Sequence, residues 1–127
     1  MLKIFNRRTI GDRAESIAQE YLQKQGLRFV DKNFHCRQGE IDLIFKDKDT
    51  LVFIEVRYRK NSQYGHSFET VTQKKQQKIL TAARHYLHKH KLTESVSSRF
   101  DVIGIDDNNN SHSNEKINWI KNAFSYY

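Results

Sequence analysis

The chain of 127 residues contains no proline, a single cysteine and only five glycines. With Cys36 alone there is no intrachain disulfide framework, and a cysteine-based zinc site is excluded as well. No apolar run approaches the ~20 residues that a membrane-spanning helix needs. The N-terminal MLKIFNRR is basic but lacks an apolar core and a small-residue cleavage site, so it does not read as a secretory signal. Internal repeats and a Gly-, Ser- or Pro-rich linker are also missing, which leaves one domain spanning 1–127 around one core. The expectation is a reduced, cytoplasmic protein that does not enter a membrane.

Acidic residues are outnumbered, 15 against 22 Lys and Arg, for a net charge of +7 and a pI near 9.6. That balance favours a polyanionic partner, nucleic acid being the commonest, although charge alone also speaks to solubility and non-specific contact. At 37% hydrophobic and 12% aromatic, the chain is polar for a globular protein yet too aromatic for a disordered one.

Ile10, Ala14, Ile17, Ala18, Tyr21 and Leu22 recur at helical spacing and predict a helix from about Thr9 to Gln25. Thr9 would cap its start, and Gly26 suits the left-handed position past its end. LRFVDKNFHC reads as an irregular strand. In Glu40 to Lys46, Ile41, Leu43 and Phe45 alternate with Glu40, Asp42 and Ile44. Asp47 to Thr50 is a polar turn. The next strand, Leu51 to Tyr58, puts Val52, Ile54 and Val56 on one face and Leu51, Phe53, Glu55 and Arg57 on the other. Short loops join these three strands into an antiparallel meander.

A basic loop from Arg59 to Ser67 precedes a second helix, Thr72 to His90, buried through Ile79, Ala82, Ala83, Tyr86 and Leu87. RFDVIGID, from Arg99, is a further strand, and DDNNNSHSN a solvated loop. KINWIKNAF is a last strand packed through Ile117, Trp119 and Ile120. The order α-β-β-β-α-β-(β) implies an α/β fold: a mixed sheet flanked by helices, the second helix crossing over between parallel strands.

The chemistry-bearing feature is GEIDLI at 39–44 followed by EVR at 55–57. A two- or four-residue loop at the polar turn makes paired positions sum to 97, which sets Asp42 opposite Glu55 and Glu40 opposite Arg57. Opposed side chains have Cβ atoms about 5 Å apart. A three-residue loop would put the two carboxylates on opposite faces instead. Two facing carboxylates repel, and a hard divalent cation, Mg²⁺ or Mn²⁺, is the natural compensator. Such an ion can activate water and stabilise charge on a phosphate, while Arg57 can grip a phosphate oxygen bidentately. The alternative is a set of solvated cross-strand ion pairs. Against it, Glu55 lies within the apolar run LVFIEV, where an unpaired carboxylate is expensive.

These segments look like the split D…E-x-K signature of the restriction-endonuclease-like nucleases. With G-D-R-A-E-x-x-A-x-x-Y-L at 11–22, K-x-x-x-I-L-x-x-A-x-x-Y-L at 75–87, R-F-D-V-I at 99–103 and W-I-K-N-A-F at 119–124, nearly the whole chain resembles the YraN-like family. That family comprises small bacterial proteins regarded as relatives of archaeal Holliday-junction resolvases. The resemblance implies a restriction-endonuclease-like fold and Mg²⁺- or Mn²⁺-dependent endonuclease activity on DNA, branched DNA included. It also implies a homodimer, because two cuts across a junction call for two sites. Asp42 and Glu55 match the metal-binding carboxylates, the Val56 carbonyl a further ligand, and Glu15 the helical glutamate that closes the site. By itself Glu15 reads as an ordinary solvated helix residue.

Arg57 stands where such nucleases carry Lys, and Ile41 where the nominal signature has Pro. Arg stays protonated and cannot act as a general base, though it can position phosphate. That departure motivates a second reading, a nucleic-acid-binding module that keeps the fold without catalysis. Arg59, Lys60 and Tyr64, with Lys74, Lys75 and Lys78, are candidate nucleic-acid contacts; each also reads as loop or wet helix face. His85, His88 and His90 could bind a metal or simply favour a helix C-terminus. Asp101 either points toward the site or pins its strand, and Cys36 reads as a partly buried thiol.

Overall fold

The computed structural model describes residues 7–60, 71–92, 96–107 and 115–126, with side chains from residue 10 in the first stretch and from 116 in the last. In chain order the elements are α1 (Arg7–Lys24), β1 (Arg28–Cys36), β2 (Gly39–Asp47), β3 (Thr50–Arg59), α2 (Gln73–Lys89), β4 (Ser97–Asp107) and β5 (Glu115–Phe124). The five strands form one mixed sheet in the order β1-β2-β3-β4-β5. All neighbours are antiparallel except β3 and β4, which run parallel on either side of the α2 crossover. No helix among the described residues is long and apolar enough to cross a membrane.

Each helix buries one stripe. On α1 the stripe is Ala14, Ala18 and Leu22, packed on Leu43, Phe45, Val52, Ile54, Ile103 and Ile105. On α2, Ile79, Leu80, Ala82, Ala83, Tyr86 and Leu87 pack on Ile41, Ile44, Leu51, Phe53 and Phe100. Successive strand residues point to opposite faces, so the helices cover opposite sides of the sheet. Phe53 stacks on Phe100, with centroids 5.4 Å apart, and meets Tyr86 edge-on.

Gly26 ends α1 with φ +94°, and Leu27 N–H donates to the Leu22 carbonyl in a Schellman-type closure. Thr72 caps α2, its hydroxyl accepting from the Lys75 N–H. Three sequence expectations about α1 and β5 need correction. The helix is already formed at Arg7, so Thr9 lies inside it rather than capping it. Ile10, at 39% exposure, and Ile120, at 38%, belong to no core. Ile120 alternates with Ile117 and Trp119, which face the α1 side, and is thereby turned to the other surface.

The two-residue Lys48–Asp49 turn, with Lys48 at φ 55°, makes the β2–β3 register sum to 97 from Asp47↔Thr50 to Leu43↔Ile54. The alternation read along β2 breaks at Asp42. Leu43 and Phe45 face α1, but Ile41 joins Ile44 on the α2 side. A single slip in face at Asp42 accounts for this, and the β2–β3 ladder goes no further than Leu43↔Ile54.

Asp101 is wholly buried and settles its own two readings. It accepts from Arg99 Nε, from Trp119 Nε1 at 2.9 Å and from the Asn122 N–H at 2.9 Å. It therefore pins β5 across the register shift between Phe100 and Val102, where Asn122 adopts φ 54°.

Candidate metal centre

Where the β2–β3 ladder stops, a side chain takes over from the main chain. Asp42 Oδ2 accepts the Val56 N–H at 2.8 Å, which holds the carboxylate in the notch between the separating strands. Glu55, one residue earlier on β3 and only 6% exposed, has its carboxyl within hydrogen-bonding reach of Asp42. The pair anticipated from the turn register does meet, although through a notch rather than a continued ladder. Its neighbour Glu40 engages His35 on β1, with Oε2 3.1 Å from Nδ1, and the ladder does not extend to Glu40 and Arg57.

Burial raises the Glu55 carboxyl well above the ordinary carboxylate range, and the hydrogen bond and like charge of Asp42 push it further. Lys75 and Arg57 pull in the opposite direction without prevailing. Lys75 Nζ, from the first turn of α2, lies 3.7 Å from Glu55 Oε2, beyond a good hydrogen bond and so a Coulombic neighbour. That shift favours a protonated Glu55 carboxyl, which can donate to Asp42. Glu15, half-buried on α1, is raised to about 7, by burial first and then by Asp42 and Asp12. A hydrogen bond from the Asn33 side chain opposes that rise. Asn33 itself sits at φ 53° in the irregular strand β1, a conformation Asn tolerates better than most residues.

The donors that Asp42 and Glu55 bring together are oxygens, the type that hard divalent ions take. Among the described residues, no three His, Cys, Asp or Glu side chains are grouped closely enough to hold a metal ion. Asp42 and Glu55 thus form a two-carboxylate arm, and Glu15 feels the Asp42 charge from outside it.

The other sequence candidates divide by position. Arg57 shares the face of Glu55 and contributes positive potential there. Arg59 is half-buried near the end of β3, and Lys60 is exposed beyond it. Tyr64 lies outside the described residues. Lys74, His85 and His88 sit on the exposed side of α2, and His90 caps its C-terminus. Lys75 and Lys78 instead line a cleft of about 340 Å³ with His35, Arg37, Gln38 and Glu40. The residues from the β1–β2 turn were not anticipated. Nothing local marks them as one wall of a cleft, since only the α2 crossover brings Lys75 and Lys78 against that turn.

The matching family model is that described as "Uncharacterised protein family UPF0102", over residues 14–105. A UPF0102 protein of Coxiella burnetii (strain RSA 331 / Henzerling II) is 52% identical over 114 residues, 90% of either chain. Another from Vibrio parahaemolyticus is 45% identical, covering 96% of this chain and 97% of its own. One from Nitrosococcus oceani is 42% identical over 97% of both. The matched span runs from the middle of α1 through β4 and so takes in Glu15, Asp42, Glu55 and Lys75. The chain is a member of the UPF0102 family.

Proposed function

We propose that this protein is a Mg²⁺- or Mn²⁺-dependent endonuclease of the restriction-endonuclease-like kind, working on DNA, branched DNA included, in the cytoplasm. The observation that carries the reading is the buried Asp42–Glu55 carboxyl pair beside Arg57 and Lys75. Asp42 and Glu55 would hold the ion, with the Val56 carbonyl as a further ligand. When bound, the ion supplies a Lewis acid that neutralises phosphate charge and makes its water more acidic.

The remaining work falls to the chain. Arg57, always protonated, orients a phosphate oxygen and cannot take a proton. Glu15, on α1 and facing the Asp42 charge, would assist from the flank of the site. Water oxygen adds to phosphorus, one P–O ester bond breaks, and the departing oxygen leaves as a hydroxyl. Two such cuts across a junction require two sites, so the active form is a homodimer. A monomer by light scattering across micromolar concentrations would overturn that part.

The test incubates the purified protein with linear, flapped and four-way DNA in Mg²⁺ or Mn²⁺, alongside Asp42→Asn and Glu55→Gln. Cleavage by the native protein and by neither variant is expected. Cleavage that survives both substitutions is contamination and ends the proposal. A second reading, a DNA- or RNA-binding module without catalysis, is favoured by Arg57 in place of Lys and by the lack of a three-ligand group among the described residues. It predicts salt-dependent binding and no effect of millimolar Mn²⁺ on the melting temperature.

A further inference from the structure

Beside the acidic pair, the turn joining β1 to β2 faces the first two turns of α2 across the 340 Å³ cleft. Its walls carry Arg37, Lys75 and Lys78 as cations and His35 and Gln38 as further hydrogen-bonding groups. Among the described lining residues the one carboxylate, Glu40, is engaged by His35 at 3.1 Å. Among the described residues no large apolar side chain lines the cleft, so none of them would grip a ring. Its chemistry suits a compact anion.

The cleft is also built into the backbone. A Cβ added at Gly39 would lie 2.6 Å from the Lys78 carbonyl oxygen, so the turn rests directly on the helix. That contact fixes the spacing between the Arg37 side and the Lys78 side without any flexible side chain between them. The positive end of α2, whose N-cap is Thr72, lies on the same side. Lys75 belongs to both places: it lines the cleft, and its Nζ is 3.7 Å from Glu55. One lysine side chain therefore separates the cleft from the carboxyl pair.

We infer that the cleft is a phosphate-binding subsite that holds one phosphate of a nucleic-acid strand while a neighbouring phosphate lies at Asp42 and Glu55. The inference rests on the nuclease reading above and adds to it where the strand runs: from the carboxyl pair, past Lys75, to the β1–β2 turn. Arg37 grips the phosphate through its guanidinium fork, and Lys78 adds a point charge opposite.

The test uses the full chain and the double variant Arg37→Ala/Lys78→Ala, both exposed positions that leave the core intact. Binding of a labelled single-stranded oligonucleotide is followed by anisotropy in EDTA from 50 to 200 mM salt. Loss of the one phosphate held there should weaken binding and reduce the slope of log K against log salt by about 0.7. Inorganic phosphate should compete with the strand for the native protein and not for the variant. Strands with and without a 5′-phosphate distinguish a terminal phosphate from an internal one as the group held. Unchanged affinity and slope in the double variant overturn the subsite. A Mn²⁺-induced rise in melting temperature, kept in the double variant and lost in Asp42→Asn, reports separately on the carboxyl pair. Failure of the subsite and failure of the nuclease reading therefore give different results.

Discussion

Glu55→Gln should stabilise the metal-free protein, and should do so more strongly as pH rises. In the folded chain Glu55 is 6% exposed and its carboxyl titrates above neutrality, because of burial and then Asp42. In the unfolded chain it ionises near its model value of 4.5. The folded state escapes the cost of two buried like charges by taking up a proton. That proton costs more to hold as pH increases, by about 1.4 kcal/mol per pH unit above 4.5. For a group raised on folding, this carboxyl's contribution is fully present below the unfolded value and is lost on the way up to the folded one.

At pH 7 the penalty is therefore about 3 kcal/mol, and at pH 5 below about 1 kcal/mol. Gln has the shape of protonated Glu, can donate to Asp42 through its amide, and carries no such penalty. For a domain of this size, 3 kcal/mol is on the order of 10 °C in melting temperature. The assay is urea denaturation of both proteins in EDTA at pH 5, 6, 7 and 8. The two stabilities should nearly coincide at pH 5 and diverge steadily above it. Parallel curves, or a native protein more stable than Glu55→Gln at pH 8, would refute the buried protonated pair. Millimolar Mn²⁺ should narrow the gap at pH 7, since a bound cation replaces the proton.

Two further substitutions probe the frame around the site. Asp101→Ala removes the acceptor shared by Arg99, Trp119 and the Asn122 N–H, and leaves part of the Arg99 guanidinium short of partners. A loss of about 3–5 kcal/mol is expected, with red-shifted Trp119 emission as β5 loosens. Gly39→Ala drives a methyl into the Lys78 carbonyl and should cost about 1–3 kcal/mol while weakening strand binding at the cleft. A neutral result for Gly39→Ala would mean that the turn does not rest on α2.

The legible parts were those encoded by neighbours in the chain. The stripe Ala14, Ala18, Leu22 and the terminal Gly26 mark α1, and the apolar face from Ile79 to Leu87 marks α2. The two-residue turn at Lys48–Asp49 sets the register and so brings Asp42 toward Glu55. Strict alternation misassigned Ile41, because a slip at one residue is a local backbone event without a signature in apolar periodicity. Ile120 departs from expectation for a related reason: an apolar residue on an edge strand looks the same in sequence whether it faces a helix or not. Residues 61–70 and 108–114, with the loop that carries Tyr64, lie outside the described residues.

By itself, then, the amino-acid order determined the elements, the meander, the register of the hairpin and the two carboxylates it would bring together. Tertiary structure alone decided how those carboxylates meet. The strands part at Asp42, and its carboxylate, not a main-chain carbonyl, answers the Val56 N–H. It also decided which cations attend them. Lys75 arrives from a helix that begins 18 residues after Glu55 and that packs against the β1–β2 turn. That encounter is non-local and is set by packing α2 across the sheet, where sequence spacing carries no distance.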